Sequence, residues 1–371
     1  MTEFRVVPKI KICSTFDEFV REDKVGQRDL ILTDRFLLDH YILPKKLPCP
    51  VIAQDDYGPG EPTSSKVRAI LEQAGKIDYD RVIAIGGGTA IDIAKLLVLD
   101  GVTDLLGLFE GKTPIVRTKQ LMIMPTTCGT GSEVTNISIV AFEELNTKIG
   151  LANDKIFADS AVLCPEFLQQ LPYQVFVFSS VDALIHAIES YLSPKANAMT
   201  RFFSVEAIRM ILSGYLKIEQ QGQDVRGRLM DQFLLASTYA GIAFSNAGCG
   251  LIHAMSYPLS GEYHIAHGQA NHQMLMSVMR YYRKENPSGA LQNLIEVFAQ
   301  VFDCPAEEAF WAFEQLIERL IARKPLSDYG ADLDSIKRFA SQVIKTQQRL
   351  LANEYVPTSE EQMVEIYKPL L

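Results

Sequence analysis

The sequence predicts a parallel α/β domain over residues 1–172 followed by an all-helical domain over residues 173–371. Three observations lead there. Before Leu171-Pro172, short apolar runs alternate with stretches whose apolar residues recur at helical spacing, which is the pattern of strands joined by crossover helices. After that point strand-like runs nearly vanish and helical patterns continue to the end. The length, 371 residues, also exceeds the roughly 250–300 at which one hydrophobic core stops growing.

In chain order, Asp29-Leu-Ile-Leu-Thr-Asp34 reads as a buried strand and residues 50–54 as a second. Residues 64–75 carry Val67, Ile70, Leu71 and Ala74 at helical spacing. Arg81-Val-Ile-Ala-Ile85 is a third strand, leading through glycines into an apolar helix over 91–99. Gln120-Leu-Met-Ile-Met-Pro125 is a fourth. Buried strands alternating with helices imply a mainly parallel sheet covered on both faces. In the second domain, helices are expected over 174–192, 200–216 and 224–244, with Ser193-Pro-Lys-Ala-Asn197 breaking the chain after the first.

The composition limits the partners. Charged residues make up 22% and the net charge is −9, with no Lys/Arg-rich run, so nucleic acid and anionic membrane are excluded as partners. No signal peptide is read at the N-terminus, and no apolar stretch of the roughly 20 residues that span a bilayer stands out. The six cysteines are scattered without a CxxC pair, which points to reduced thiols and a cytoplasmic location. The apolar run over 6–13 could pair with itself across a two-fold axis, so a homodimer is expected.

Two polar turns follow strands. Gly86-Gly87-Gly88-Thr89-Ala90-Ile91-Asp92 opens a helix, where glycines let backbone approach an anion and the helix N-terminus presents free N–H groups. It matches neither GxGxxG nor a Walker A loop, and a tight βα turn is the alternative. Pro125-Thr126-Thr127-Cys128-Gly129-Thr130-Gly131-Ser132-Glu133 offers hydroxyls at the same carboxyl edge, where ligands of such sheets bind; a capped helix start is the alternative. Asp34 could accept hydrogen bonds from a ribose 2′-hydroxyl and would repel a 2′-phosphate, which favours NAD over NADP, or it could cap the next helix.

Asp182-Ala-Leu-Ile-His186 places a carboxylate and an imidazole one turn apart within an apolar segment, where each is costly unless paired or metal-bound. A plain Asp–His ion pair remains the competing reading. His253, in Gly250-Leu-Ile-His253-Ala-Met, and His267, in Gly261-Glu-Tyr-His-Ile-Ala-His267-Gly-Gln-Ala-Asn271, add two imidazoles. One Asp and three His suit Fe(II) or Zn(II) with positions left for a small-molecule substrate, and the lack of cysteine ligands argues against a closed structural zinc site.

These segments, in this order, resemble the iron-containing (group III) alcohol dehydrogenase family over essentially the whole chain. The resemblance implies a Rossmann-like domain and a helical metal-binding domain, the architecture shared with dehydroquinate synthase. It implies metal ligation by Asp182, His186, His253 and His267, and cofactor contacts by Asp34, Gly86, Gly87, Gly88, Asp92, Thr126, Thr127, Thr130 and Lys148. Many members carry a histidine for proton relay four residues after the third ligand. That position is Tyr257 here, so Tyr257 or His264 would serve instead. Phe109-Glu-Gly-Lys, Val181-Asp-Ala-Leu-Ile-His186 and Lys324-Pro-Leu resemble members that interconvert 4-hydroxybutyrate and succinate semialdehyde with NAD(H). Arg280, Arg323 and Lys324 are the candidates for holding such a substrate's carboxylate. The alternatives are another small primary alcohol or diol, or a lyase of the dehydroquinate synthase type.

Overall fold

The computed structural model describes residues 3–145 and 147–371. The chain divides into two compact units: Val6–Gln170, and Leu171–Leu371 with the N-terminal stretch ending at Arg5.

The first unit is built on six parallel strands: β1 (Lys9–Ile12), β2 (Asp29–Thr33), β3 (Val51–Ala53), β4 (Arg81–Gly86), β5 (Gln120–Pro125) and β8 (Ser160–Leu163). Their order across the sheet is β1-β8-β5-β4-β2-β3. The central strands are buried on both faces: Leu30, Leu32, Val82, Ala84, Leu121 and Ile123 are inaccessible to solvent, at roughly 1.5–3 kcal/mol for each large side chain. The covering helices include α1 (Phe16–Glu22), α2 (Ser64–Ala74) and α3 (Gly88–Leu97). Strands β6 (Ile137–Phe142) and β7 (Thr147–Ala152) form a separate antiparallel pair.

Three local expectations change. Helix α3 starts at Gly88 rather than at 91, because glycine backbone enters the helix directly from the turn. Strands β6 and β8 have no counterpart in the sequence reading; β8 is only four residues long and fully buried, too short for a periodic signal. The run over 6–13 is not left free to pair with itself. Its Lys9–Ile12 segment bonds β8 in parallel, which leaves β1 as an edge strand with Ile10 and Ile12 exposed.

The second unit is helical: α4 (Tyr173–Leu192), α5 (Ala198–Gln221), α6 (Met230–Ala247), α7 (Leu251–Tyr263), α8 (His267–Glu285), α9 (Ala290–Phe302), α10 (Ala306–Leu320), α11 (Leu333–Thr346) and α12 (Glu360–Tyr367), with shorter turns between. Asn197 caps α5 reciprocally with Thr200, and this restarts the helix after the Ser-Pro break. The expected helix over 224–244 is divided. Gly222, at φ +84°, starts a 3₁₀ stretch over Gln223–Leu229, and the α-helix begins only at Met230. Helix α4 is long and apolar enough to cross a membrane, contrary to the sequence reading, but 83% of its apolar window is buried within the protein. It packs against α5, α6 and α8 as the unit's central helix.

Candidate functional site

Helix α4 carries a polar stripe along its buried length. Asp182, His186 and Glu189 stand at i, i+4 and i+7 and are almost fully buried. Helices α7 and α8 bring His253 and His267 to this stripe. The approach of α8 needs glycine beside the ligand, since a Cβ at Gly268 would lie 2.3 Å from the Phe178 carbonyl oxygen on α4.

Glu189 fixes the orientation of His253. Its Oε1 accepts the Ile252 backbone N–H at 2.6 Å, and its Oε2 stands 2.6 Å from His253 Nδ1. With Nδ1–H donated to the carboxylate, the Nε2 lone pair is directed into the interior. That Nε2 is buried, makes no hydrogen bond, and lies 3.4 Å from Asp182 Oδ1. His267 Nε2 lies 3.7 Å from the same oxygen, and Asn271 Nδ2 donates to it at 2.7 Å. One donor atom from each of Asp182, His253 and His267 falls within 4.8 Å of the others. The His186 ring stacks on His253, with centroids 4.7 Å apart, and on Phe244 at 4.3 Å. It joins His253 and Cys249 in a second cluster of the same span, so His253 is common to both.

The electrostatics follow from this packing. Burial raises the Asp182 carboxyl, but the imidazoles of His186, His267 and His253 outweigh it and hold the group well below the usual carboxylate range. Burial disfavours a charged His253, yet Glu189 and Asp182 pull its pKa up to about 9. The pocket therefore favours positive charge. Carboxylate oxygen, imidazole nitrogens and an orphaned buried lone pair together fit a divalent iron or zinc ion.

At the carboxyl ends of β4 and β5 the two polar turns stand side by side. Gly86 is in register with Pro125, and the Thr126 N–H bonds the Gly86 carbonyl at 3.1 Å. A Cβ on Gly86 would meet Ala90 Cβ at 2.6 Å and Asp34 Oδ2 at 3.2 Å; one on Gly88 would meet Thr130 Cγ2 at 3.1 Å; one on Gly87 would touch Thr127 Cγ2 at 3.5 Å. Asp34, Gly86–Gly88 and Thr126–Thr130 thus form one contiguous edge. No side chain caps the start of α3, so its first N–H groups stay available to an anion. Asp34 accepts a hydrogen bond from Gln54 Nε2 at 2.6 Å, and burial raises its carboxyl.

Two expected cofactor contacts have other partners. Asp92 accepts the Ile139 N–H at 3.0 Å and the Ser132 hydroxyl at 3.1 Å, which ties α3 to β6. Lys148, on β7, is ion-paired with Glu61. Beside the imidazoles, the Tyr257 ring centroid is 6.0 Å from that of His267. His264 is exposed and takes the left-handed conformation that ends α7. Arg280 and Arg323 are ion-paired with Glu314 and Glu318.

Glu189 and Cys249 were not singled out from sequence. The first was readable, seven residues beyond Asp182 on the same helical face. Cys249 reaches His186 and His253 only through the Gly248–Gly250 turn, where Gly248 has φ +81° and its Cβ position is filled by Asn353.

Fold and sites together describe a protein with a polar nucleotide-type edge in one unit and a carboxylate–imidazole cluster in the other. The chain belongs to the iron-containing alcohol dehydrogenase family: that family's description matches residues 13–165, and its C-terminal part matches residues 176–371. The chain is 45% identical over 370 residues to 4-hydroxybutyrate dehydrogenase of Clostridium kluyveri, covering 100% of both. It is 34% identical over 304 residues to long-chain-alcohol dehydrogenase 1 of Geobacillus thermodenitrificans, covering 78% of this chain and 74% of the relative. Its fold is that of sulfoacetaldehyde reductase from Bifidobacterium kashiwanohense, solved in complex with NAD+, with TM-score 0.87, 21% identity, and coverage of 100% and 98%.

Proposed function

We propose that this protein is an NAD-dependent, metal-dependent dehydrogenase interconverting 4-hydroxybutyrate and succinate semialdehyde. The observation that carries the substrate is the end-to-end 45% identity to the Clostridium kluyveri enzyme. The chemistry rests on the buried cluster in which His253 Nε2 is left without a hydrogen bond.

Asp182, His186, His253 and His267 would hold iron or zinc. When bound, the ion supplies Lewis acidity to the reacting oxygen and NAD(H) exchanges the hydride. The residues prepare both. Glu189 keeps Nδ1–H of His253 engaged, so Nε2 is the free donor. Asn271 steadies Asp182 and lies 3.2 Å from His267 Nε2. Thr126, Thr127 and Thr130, Gly86–Gly88 and the start of α3 would receive the cofactor's pyrophosphate, and Asp34 its ribose hydroxyls. Asp92 serves this edge indirectly, by anchoring α3. Lys148 would reach the ribose only after leaving Glu61. The Tyr257 hydroxyl is assigned to carry the alcohol proton outward, in preference to exposed His264, because its ring neighbours His267.

A homodimer is proposed on the open edge of β1, and a cytoplasmic location on the six free thiols. Neither nucleic acid nor membrane is assigned as a partner.

The deciding experiment follows NADH absorbance with protein reconstituted with Fe(II) or Zn(II). Rapid metal-dependent oxidation with succinate semialdehyde, and slow turnover of unsubstituted aliphatic aldehydes, is expected. Equal rates on both would redirect the assignment to a general short-chain alcohol or diol; no NADH oxidation with any aldehyde would overturn it.

A further inference from the structure

Cys13 and Cys164 stand abreast at the ends of neighbouring strands. Ile12 of β1 is in register with Leu163 of β8, and the next backbone bond, Cys13 N–H to the Leu163 carbonyl, is 3.1 Å. Each cysteine is thus the residue that follows a paired partner in a parallel ladder, so their side chains leave the sheet on the same face. Neighbouring parallel strands lie roughly 4.8 Å apart, within the span a disulfide bridges without moving the backbone. The two thiols are near enough to perturb each other's ionisation.

We propose that Cys13 and Cys164 form a reversible dithiol–disulfide site that reacts with low-molecular-weight disulfides and, when oxidised, staples β1 to β8. The pair lies at the carboxyl edge of the sheet, on β1 and β8, and uses none of the residues assigned to the metal or the cofactor. Its two sulfurs are not equivalent. Cys164 is completely buried, while Cys13 is 7% exposed and follows β1, the last strand in the sheet order, which pairs no further strand among the described residues. Fraying of that edge exposes Cys13 first. The adjacent Cys164 thiol favours thiolate at Cys13, lowering its pKa, while Cys164 is pushed up by its neighbour and by burial, in keeping with the order of exposure. Cys13 is therefore the attacking sulfur and Cys164 the resolving one.

The chemistry balances. The Cys13 thiolate attacks one sulfur of the external disulfide, forming a mixed disulfide and expelling one thiolate, which takes up a proton. Cys164 gives up its proton and attacks Cys13 Sγ, forming the Cys13–Cys164 bond and expelling the second external thiolate. Two protein thiols are oxidised and one external disulfide is reduced to two thiols.

The test incubates the native full-length protein with glutathione disulfide, quenches with acid, and maps disulfides by mass spectrometry. A Cys13–Cys164 cross-linked peptide is expected, with loss of these two free thiols before the buried Cys49, Cys128 and Cys249 react and their recovery on adding dithiothreitol; the more exposed Cys304 takes up glutathione independently. Cys164→Ser should stop the reaction at glutathione on Cys13, and Cys13→Ser should leave Cys164 unmodified. Both are small, near-isosteric changes, and circular dichroism verifies that the variants fold. A cross-link that appears only in denaturant, or Cys164 modified before Cys13, overturns the proposal.

Discussion

Glu189 shows how much a single side chain can arrange. Its two oxygens hold the Ile252 N–H and the His253 ring, so one carboxylate fixes both the start of α7 and the tautomer of its histidine. Glu189→Gln keeps the shape but removes the charge that polarises the imidazole. Metal affinity, measured by competition with a chromogenic chelator, should fall about 10–100-fold while the far-ultraviolet spectrum is unchanged. Unchanged affinity would make Glu189 a packing residue. His272 makes a different point. It is buried, and burial, reinforced by Arg323, lowers its pKa to about 4 from an ordinary 6.5. The unfolded chain therefore binds the proton more readily between pH 4 and 6.5, and stability rises with pH through that window. It is fully present above pH 6.5 and falls by roughly 3 kcal/mol as pH drops to 4. Urea unfolding at pH 7 and pH 4.5 should show a smaller acid loss for His272→Gln than for the parent; equal losses would remove His272 as the cause.

At the scale of elements, close approach decides what can be built. Helix α8 meets α4 at Gly268, and α3 leaves β4 through Gly86, with no room for a Cβ at either place. The consequences differ because the neighbours differ. At Gly268 the obstacle is backbone, the Phe178 carbonyl, which cannot swing aside. Gly268→Ala should lower stability by about 1–3 kcal/mol and move His267 away from Asp182, weakening metal binding as well. At Gly86 the obstacles are Ala90 and the Asp34 carboxylate. Gly86→Ala should raise KM for NAD(H) more than it lowers the unfolding midpoint, since it disturbs the ribose and phosphate edge directly. A purely structural loss with unchanged KM would separate the turn from cofactor binding.

Over the whole molecule, the two sites impose separate requirements. The cluster around His253 holds two carboxylates and the imidazoles of His186 and His253 out of water, with half-buried His267 at its rim, an arrangement that a divalent cation completes. A chelated preparation should lose activity, and Fe(II) or Zn(II) should restore it. The ion should also raise the thermal midpoint, by the equivalent of about 2.7 kcal/mol at a hundredfold excess over Kd. Calorimetry of apo and reconstituted protein checks this, and an unchanged midpoint would place the ion elsewhere.

Much of this was legible along the chain. The parallel sheet, the central helices and the stripe holding Asp182 and His186 each follow from local periodicity, because burial repeats every second residue in a strand and every three to four in a helix. The resemblance supplied His253 and His267, which have no local signal of their own. Periodicity could not show that β1 bonds β8 across about 150 residues, that Asp92 turns toward Ile139, or that Cys249 and Cys13 meet the partners they do. Those pairings depend on how distant segments pack. A short strand becomes an edge, and a carboxylate becomes an anchor, only when a specific neighbour closes on it. The sequence by itself determined which residues must be buried and which polar groups would then need partners; the tertiary structure alone decided who the partners are, because no local propensity encodes a contact made by chain closure.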